Sequence, residues 1–459
     1  MLQITFVKAP TRVLLFVLIS TCPLVPASLD VPVPEQLAYN LKTTVEAYEK
    51  VGRKDSKWDA DARRCLTTFA RIRSTTNAPA IGEFANELRT ALPRLIEAKC
   101  DDALVRYLHL RYVFMASHSV SENAAAFGEV VAAIQKSDYP EIRKFYAVMW
   151  HARLLREAEP KSPGLAGSLE KAATYLAQAL QDRSMPEREG DESCDFLMST
   201  PWWAEGAPWK CYQILEPALT NRWQGTSVAL LAKGRAYLSH GWEARGTGYA
   251  DTVTPKGWQS FAERLDIAAD AFEAAWKRNP QDGRICQEMM RVELGQGKAR
   301  ARMETWFQRG MKLDPGNYDL CLTKLEYLRP RWYGSTKAMV DFGRECTSNT
   351  NWTRAVRLML ADAHYEASRE IKDNVERAAY FTQPQVWSDI QFTFEQFFKL
   401  YPQEVGWRHN YARYAYYCAQ WQAFKDQVKL FPWTNHVFFG GAEKFNDMIK
   451  LADLQPKVK

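Results

Sequence analysis

The 459-residue sequence has no two cysteines in CxxC spacing, which excludes a thioredoxin-like redox pair and a zinc ribbon. Its histidines, at 109, 118, 151, 240, 364, 409 and 436, include no HExxH or HxH, so sequence neighbours build no metal site. A serine nucleophile elbow is missing as well. Gly246-Thr247-Gly248 lacks both the third glycine and the Lys-Ser/Thr ending of a phosphate loop. No cofactor is therefore expected. Charge of one sign is scarce: 60 basic against 54 acidic residues leave +6, too balanced for a nucleic-acid footprint. Glycine and proline, at 23 and 22, are slightly below average usage, which excludes a low-complexity chain. What is present is apolar material, 46% of the residues, ample for a large buried core.

No run reaches the roughly 20 apolar residues that a membrane span requires. The first 27 residues instead have the order of an export signal. Lys8 and Arg12 precede the apolar run Val13 to Ile19, and Val25 and Ala27 occupy the small-residue positions before a cleavage point. The mature chain is expected to start near Ser28, in the periplasm or outside the cell. Removing Lys8 and Arg12 leaves a charge of +4. Ile19-Ser20-Thr21-Cys22 loosely resembles a lipoprotein box, with Thr21 and Pro23 as poor fits, so lipid anchoring at Cys22 is the lesser alternative.

Beyond the signal, apolar residues recur at helical spacing. Ile267, Ala268, Ala271, Phe272, Ala275 and Trp276 share one face, as do Met303, Trp306, Phe307, Gly310 and Met311, and then Ile390, Phe394, Phe397 and Phe398. With no sustained strand-like alternation, the expected fold class is all-α. An N-terminal helical domain is expected over 28–183. The segment 184–224 collects proline, glycine, acidic residues and four tryptophans, and reads as a long loop. Eight cysteines remain after the signal, an even number compatible with disulfides in an exported chain. Cys194 with Cys211 is the best candidate pair, as a staple across that loop, and Cys65 with Cys100 the next; buried free thiols are the alternative. Trp202, Trp203 and Trp209 are claimed by no periodic face and are expected to be exposed.

The C-terminal part, 225–459, carries a repeat. Asn279-Pro280 and Asp314-Pro315 each close an amphipathic helix 35 residues apart, close to the 34-residue tetratricopeptide period. Pro402, with Phe394 behind it, continues the series. Ala268, Phe272 and Ala275 supply the small, large and small positions of a second helix. Leu230, Gly234 and Tyr237 fit a first helix, where a small residue admits the partner's aromatic knob. Ala268 follows Tyr237 by 31 residues where the repeat expects 9, which implies an insertion of 22 residues around 242–257. The expected architecture is an α-solenoid of tetratricopeptide-like antiparallel hairpins.

Several runs resemble the signature segments of a bacterial family of exported helical proteins known only as a domain of unknown function. They are Trp242 to Val253, Thr254 to Trp258 with Phe261, Leu294-Gly-Gln-Gly297, and Leu328 to Ser335. The resemblance covers about 225–455 and implies a helical exported protein, but no activity, substrate or cofactor.

Two stretches carry recognition chemistry. In the first, Arg245, Tyr249, Asp251 and Trp258 surround Gly246 and Gly248, whose freedom of backbone suits a tight loop. In the second, Arg329, Arg331, Trp332 and Tyr333 precede Gly334, and guanidiniums beside aromatic rings suit a carboxylate or a glycan. The second stretch also has a purely structural reading, with Pro330 ending a helix and Ser335 capping the next. The functional expectation is an interaction module that binds a protein segment or a cell-envelope component, without turnover. Its alternative is an envelope hydrolase or lyase whose acid or base is a carboxylate of 187–195 or Asp251. Glu192-Ser193 faintly resembles the Glu-Ser of lytic transglycosylases, although the acidic run Glu187, Glu189, Asp191, Glu192 reads as a solvated surface.

Overall fold

The computed structural model describes residues 34–199, 202, 206–431 and 434–455. The expected signal, Cys22 included, lies outside these residues. The described residues are mostly helical and contain no strand, so the fold is all-α. They form two compact units that meet in sequence at Asn279 and Pro280.

In the unit before Pro280, α1 (Pro34–Leu41) runs through a π-helical stretch, Lys42–Glu46, into α2 (Ala47–Val51). Then come α3 (Asp59–Ile72), α4 (Ala78–Glu97), α5 (Ala103–Tyr112), α6 (Val120–Lys136), α7 (Glu141–Ala158) and α8 (Gly164–Ala179). The unit closes with α9 (Glu187–Met198), α10 (Ala207–Leu219), α11 (Ser227–Arg245) and α12 (Pro255–Arg278). Sequential helices pack as hairpins, and next-but-one contacts join α1 to α3, α3 to α5, α7 to α9 and α9 to α11. With Arg111 of α5 on Trp150 of α7, the odd-numbered helices thus form one row, and α8 contacts α10 beside it. Side-chain caps start many of them: Asn77, Asp102, Ser119, Thr226 and Thr254 each accept a backbone N–H of the first turn.

The second unit holds α13 (Gly283–Gln296), α14 (Arg300–Leu313), α15 (Tyr318–Tyr327), α16 (Thr336–Ser348) and α17 (Met359–Arg369). It continues through α18 (Asn374–Phe381), α19 (Pro384–Leu400), α20 (Arg408–Tyr417), α21 (Trp421–Lys429) and α22 (Ala442–Asp453). The three repeat prolines act by one mechanism. A proline disfavours helical backbone in the residue before it. Asn279, Asp314 and Tyr401 accordingly sit at φ/ψ of −139/87°, −137/96° and −129/65°, each ending its helix.

The expected knob and hole meet. Gly234 of α11 faces Phe272 of α12, and a Cβ there would collide with the ring. The implied insertion is taken up mainly by lengthening: α11 has 19 residues and α12 has 24, and the connection between them is short.

Residues 184–224 correct the expected loop. They contain α9 and the whole of α10. Pro186 precedes α9 and Pro208 lies in the first turn of α10, where a missing N–H costs nothing, while Pro217 sits inside α10 close to its C-terminal end. Glu189, Ser193, Cys194 and Leu197 form a buried face of α9, so the helical period was masked by a buried glutamate. Trp202 is buried, its indole N–H donating to the Phe196 carbonyl at 3.0 Å. Trp209 is half-buried and stacked on His240 with ring centroids 4.1 Å apart. Trp203 lies outside the described residues.

The disulfide expectation is corrected with it. Cys65, Cys100, Cys194 and Cys211 are free and buried, as are Cys286, Cys321, Cys346 and Cys418. Cys194 and Cys211 belong to helix faces rather than to the two ends of a loop, and the Cys211 thiol donates to the Leu169 carbonyl at 3.6 Å. Burial pushes the Cys65 and Cys211 thiols up to about 12 and the Cys100 thiol up to about 11, so they stay protonated at neutral pH. We expect iodoacetamide to label none of the eight in the native protein and all eight after unfolding in urea without reductant, read by intact mass. Six labels on the urea-unfolded protein would instead reveal a disulfide.

Candidate functional site

The α11–α12 tip brings the first set of predicted residues together. Gly246, at φ +74°, ends α11 in a backbone conformation that a side chain would strain. A Cβ on Gly248 would collide with the Thr252 hydroxyl, which itself donates to the Tyr249 carbonyl at 2.7 Å. Arg245 donates to the carbonyls of Gly246 and Gly248 at 3.1 and 3.0 Å, tying the loop to the helix end. Its guanidinium carbon also lies 5.7 Å from the Trp242 ring and 5.6 Å from the Trp258 ring. Trp242 packs edge-on against Phe261 at 4.9 Å. Two aromatic side chains remain presented to solvent, Trp258 at 37% and Tyr249 at 74% exposure. Asp251 is exposed in a 3-10 turn, without the apolar cleft that a general acid requires.

The 329–334 turn, in the other unit, is closed on itself. Arg329 is buried, donates from Nε to Glu370 at 2.7 Å and from Nη1 to Glu326 at 3.1 Å, and lies 3.3 Å from Glu366. Glu326 accepts from Arg331 as well, and from the Trp332 indole at 2.9 Å. Burial alone would raise the Glu326 carboxyl, but Arg329 and Arg331 overcome it and hold it below its ordinary range. Tyr333 donates to the Leu294 carbonyl at 3.1 Å. A Cβ on Gly334 would strike the Leu328 backbone, and the Ser335 hydroxyl caps α16 by accepting the Ala338 N–H at 3.1 Å. Each of these donors has a partner on α13, on α15 or at α17, which ties the turn to its own unit.

The cluster that sequence reasoning missed lies on the row α1–α3–α7–α9. Glu189 is fully buried and accepts from Gln36 and, at 3.3 Å, from Arg73, which also reaches Glu192 at 3.2 Å and the Tyr146 hydroxyl at 2.6 Å. Arg143, also buried, donates to Asn40 at 2.7 Å and to Thr43 at 2.6 Å. Burial pushes the Glu189 carboxyl up, while Arg73 and Arg143 pull it further down, so it is ionised. The expected solvated acidic run is thus a helix with its central glutamate inside. Ser193, the serine of the Glu-Ser pair, is buried and donates to the Glu189 carbonyl at 2.7 Å. Nothing in the local sequence separates Glu189 from its acidic neighbours, because its partners come from about 116 and 153 residues earlier.

Among the described residues no group of three or more His, Cys, Asp or Glu is placed to hold a metal. Surface hollows of about 380 Å³ on α3 and α4 and about 230 Å³ on α6 and α7 contain none of the predicted site residues. No helix among the described residues is long and apolar enough to cross a membrane. No family model matches the chain, and no curated protein shows significant similarity to it.

Proposed function

We propose that the protein is an exported helical-repeat interaction module, binding a protein segment or cell-envelope component without turnover. The observation that carries this reading is the α11–α12 tip, where Arg245 fixes a loop that presents Tyr249 and Trp258 to solvent. Rigid aromatics cost little ordering entropy when a partner covers them, and they dominate the energetics of interfaces. The enzymatic alternative draws no support, since the one buried carboxylate of 187–195 is ionised and paired with arginine rather than held as an acid. The family resemblance over 225–455 fits the same reading, as does an export signal cleaved before Ser28.

The test combines two substitutions at the tip, Tyr249→Ser and Trp258→Ala, with affinity capture from a cell-envelope extract. Tyr249 is 74% exposed, so its substitution is expected to change stability by less than about 0.5 kcal/mol. The wild-type chain should retain a partner that the double variant loses, and Tyr249→Ser alone should weaken capture while its thermal melt nearly coincides with that of the wild type. Equal capture by both proteins, or release of hydrolysed envelope fragments by the purified wild type, overturns the proposal.

A further inference from the structure

On the row of odd-numbered helices, the Trp150 ring of α7 is approached by two guanidiniums. The Arg111 carbon, from α5, lies 3.2 Å from the ring centroid, and the Arg153 carbon, one turn further along α7, lies 5.1 Å away. Phe196 of α9 packs 6.0 Å from the same ring. All four side chains are half-buried. Among the arginines of this unit, Arg73 pairs with Glu189 and Glu192, Arg188 with Glu192, and Arg235 with Asp195, whereas the buried Arg143 is held by Asn40 and Thr43. Among the described residues, Arg111 and Arg153 carry no ion pair. Two further guanidinium nitrogens of the same row, Nε of Arg73 and Nη1 of the buried Arg143, have no hydrogen-bond acceptor, and neither does Nη1 of Arg111.

A ring face attracts each cation, yet two cations gathered at one ring repel each other. Partial burial weakens the solvent screening that would relieve that repulsion. An anion that contacts both guanidiniums at their free edges offsets it, and the planar fork of arginine matches the two oxygens of a carboxylate. We propose that Arg111, Trp150 and Arg153 form a subsite for a carboxylate of a partner polypeptide. This rests on the interaction reading above and deepens it.

The sign of the neighbouring charges selects the class of partner. One helix further along the row, α9 presents Glu192 and Asp195, and Asp191 beside them. Glu192 and Asp195 are already balanced by Arg73, Arg188 and Arg235, so a uniformly anionic polymer laid along the row finds no uncompensated cation there. A polypeptide with an acidic side chain at the subsite and neutral residues beyond it matches this local charge.

The test is fluorescence anisotropy of a labelled Gly-Ser peptide with two central glutamates, against the same peptide with two glutamines. The glutamate peptide is expected to bind at least tenfold more tightly, and less so as salt rises. Arg111→Gln should abolish that preference, Arg153→Gln should reduce it several-fold, and Arg278→Gln, altering an exposed pair with Glu187, should leave it intact. Arg111→Lys keeps the charge without the fork and should fall between, which preserves the test if Arg111→Gln fails to fold. Equal binding of the two peptides, no effect of either Arg111 substitution, or tighter binding of a polyglucuronate of matched charge overturns the subsite. If partner capture still depends on Tyr249 and Trp258, such a result removes the subsite and leaves the interaction reading standing; loss of that dependence removes both.

Discussion

Replacing Glu189 by alanine is expected to cost the fold about 3–5 kcal/mol, because it removes one member of a buried charge cluster and leaves the others uncompensated. Arg143 would stay buried, bonded to Asn40 and Thr43 but with no nearby carboxylate to balance it. Arg73 would keep Glu192. Glu189→Gln keeps an oxygen for Arg73 but not the charge, and should cost less. Urea unfolding followed by circular dichroism checks both; a loss under about 1 kcal/mol for Glu189→Ala would refute the role given to the cluster. The pH dependence has a definite sign. The folded carboxyl titrates below the ordinary value of about 4.3, so its stabilisation is present above that value and is lost as pH falls through the lower, folded one. Wild-type stability should therefore drop below about pH 4, and Glu189→Ala should lack that part of the drop.

Phe272→Ala is expected to be as damaging, at about 3–5 kcal/mol, since the ring is wholly buried in the α11–α12 hairpin. Gly234→Val makes the opposite lesion at the same contact, overfilling the hole at a cost of about 1–3 kcal/mol. If ring and hole are one unit, the double variant loses less than the sum, because the valine enters space that the ring has left. Strict additivity in thermal and urea melts would show instead that the two residues are merely neighbours.

Legibility in the sequence followed the range of the interactions. The helix-ending role of Pro280, Pro315 and Pro402 is local to one residue before each proline, and it was read correctly. The Gly234–Phe272 contact spans a single hairpin and was recoverable from the repeat. The 184–224 segment was misread because Glu189, an ionisable residue on a buried face, breaks the apolar period that marks a helix. Its burial is made possible by Arg73, Arg143 and Gln36. Those partners arrive through the stacking of distant helices, which no local pattern encodes. At the candidate sites, spacing correctly gathered Arg245, Tyr249 and Trp258. It could not tell that Glu326, Glu366 and Glu370 would occupy Arg329, or that Arg111 would reach Trp150 from another helix.

The buried thiols have a consequence for where the chain can exist. Each of the eight described cysteines fills the place of a small hydrocarbon side chain, and no crosslink joins them to restrict the unfolded state. Stability is then indifferent to redox potential: the same fold is available in a reducing cytosol and an oxidising envelope. A chain of this kind asks no oxidant or isomerase of its destination, and substituting its cysteines by alanine or valine is a question of volume alone.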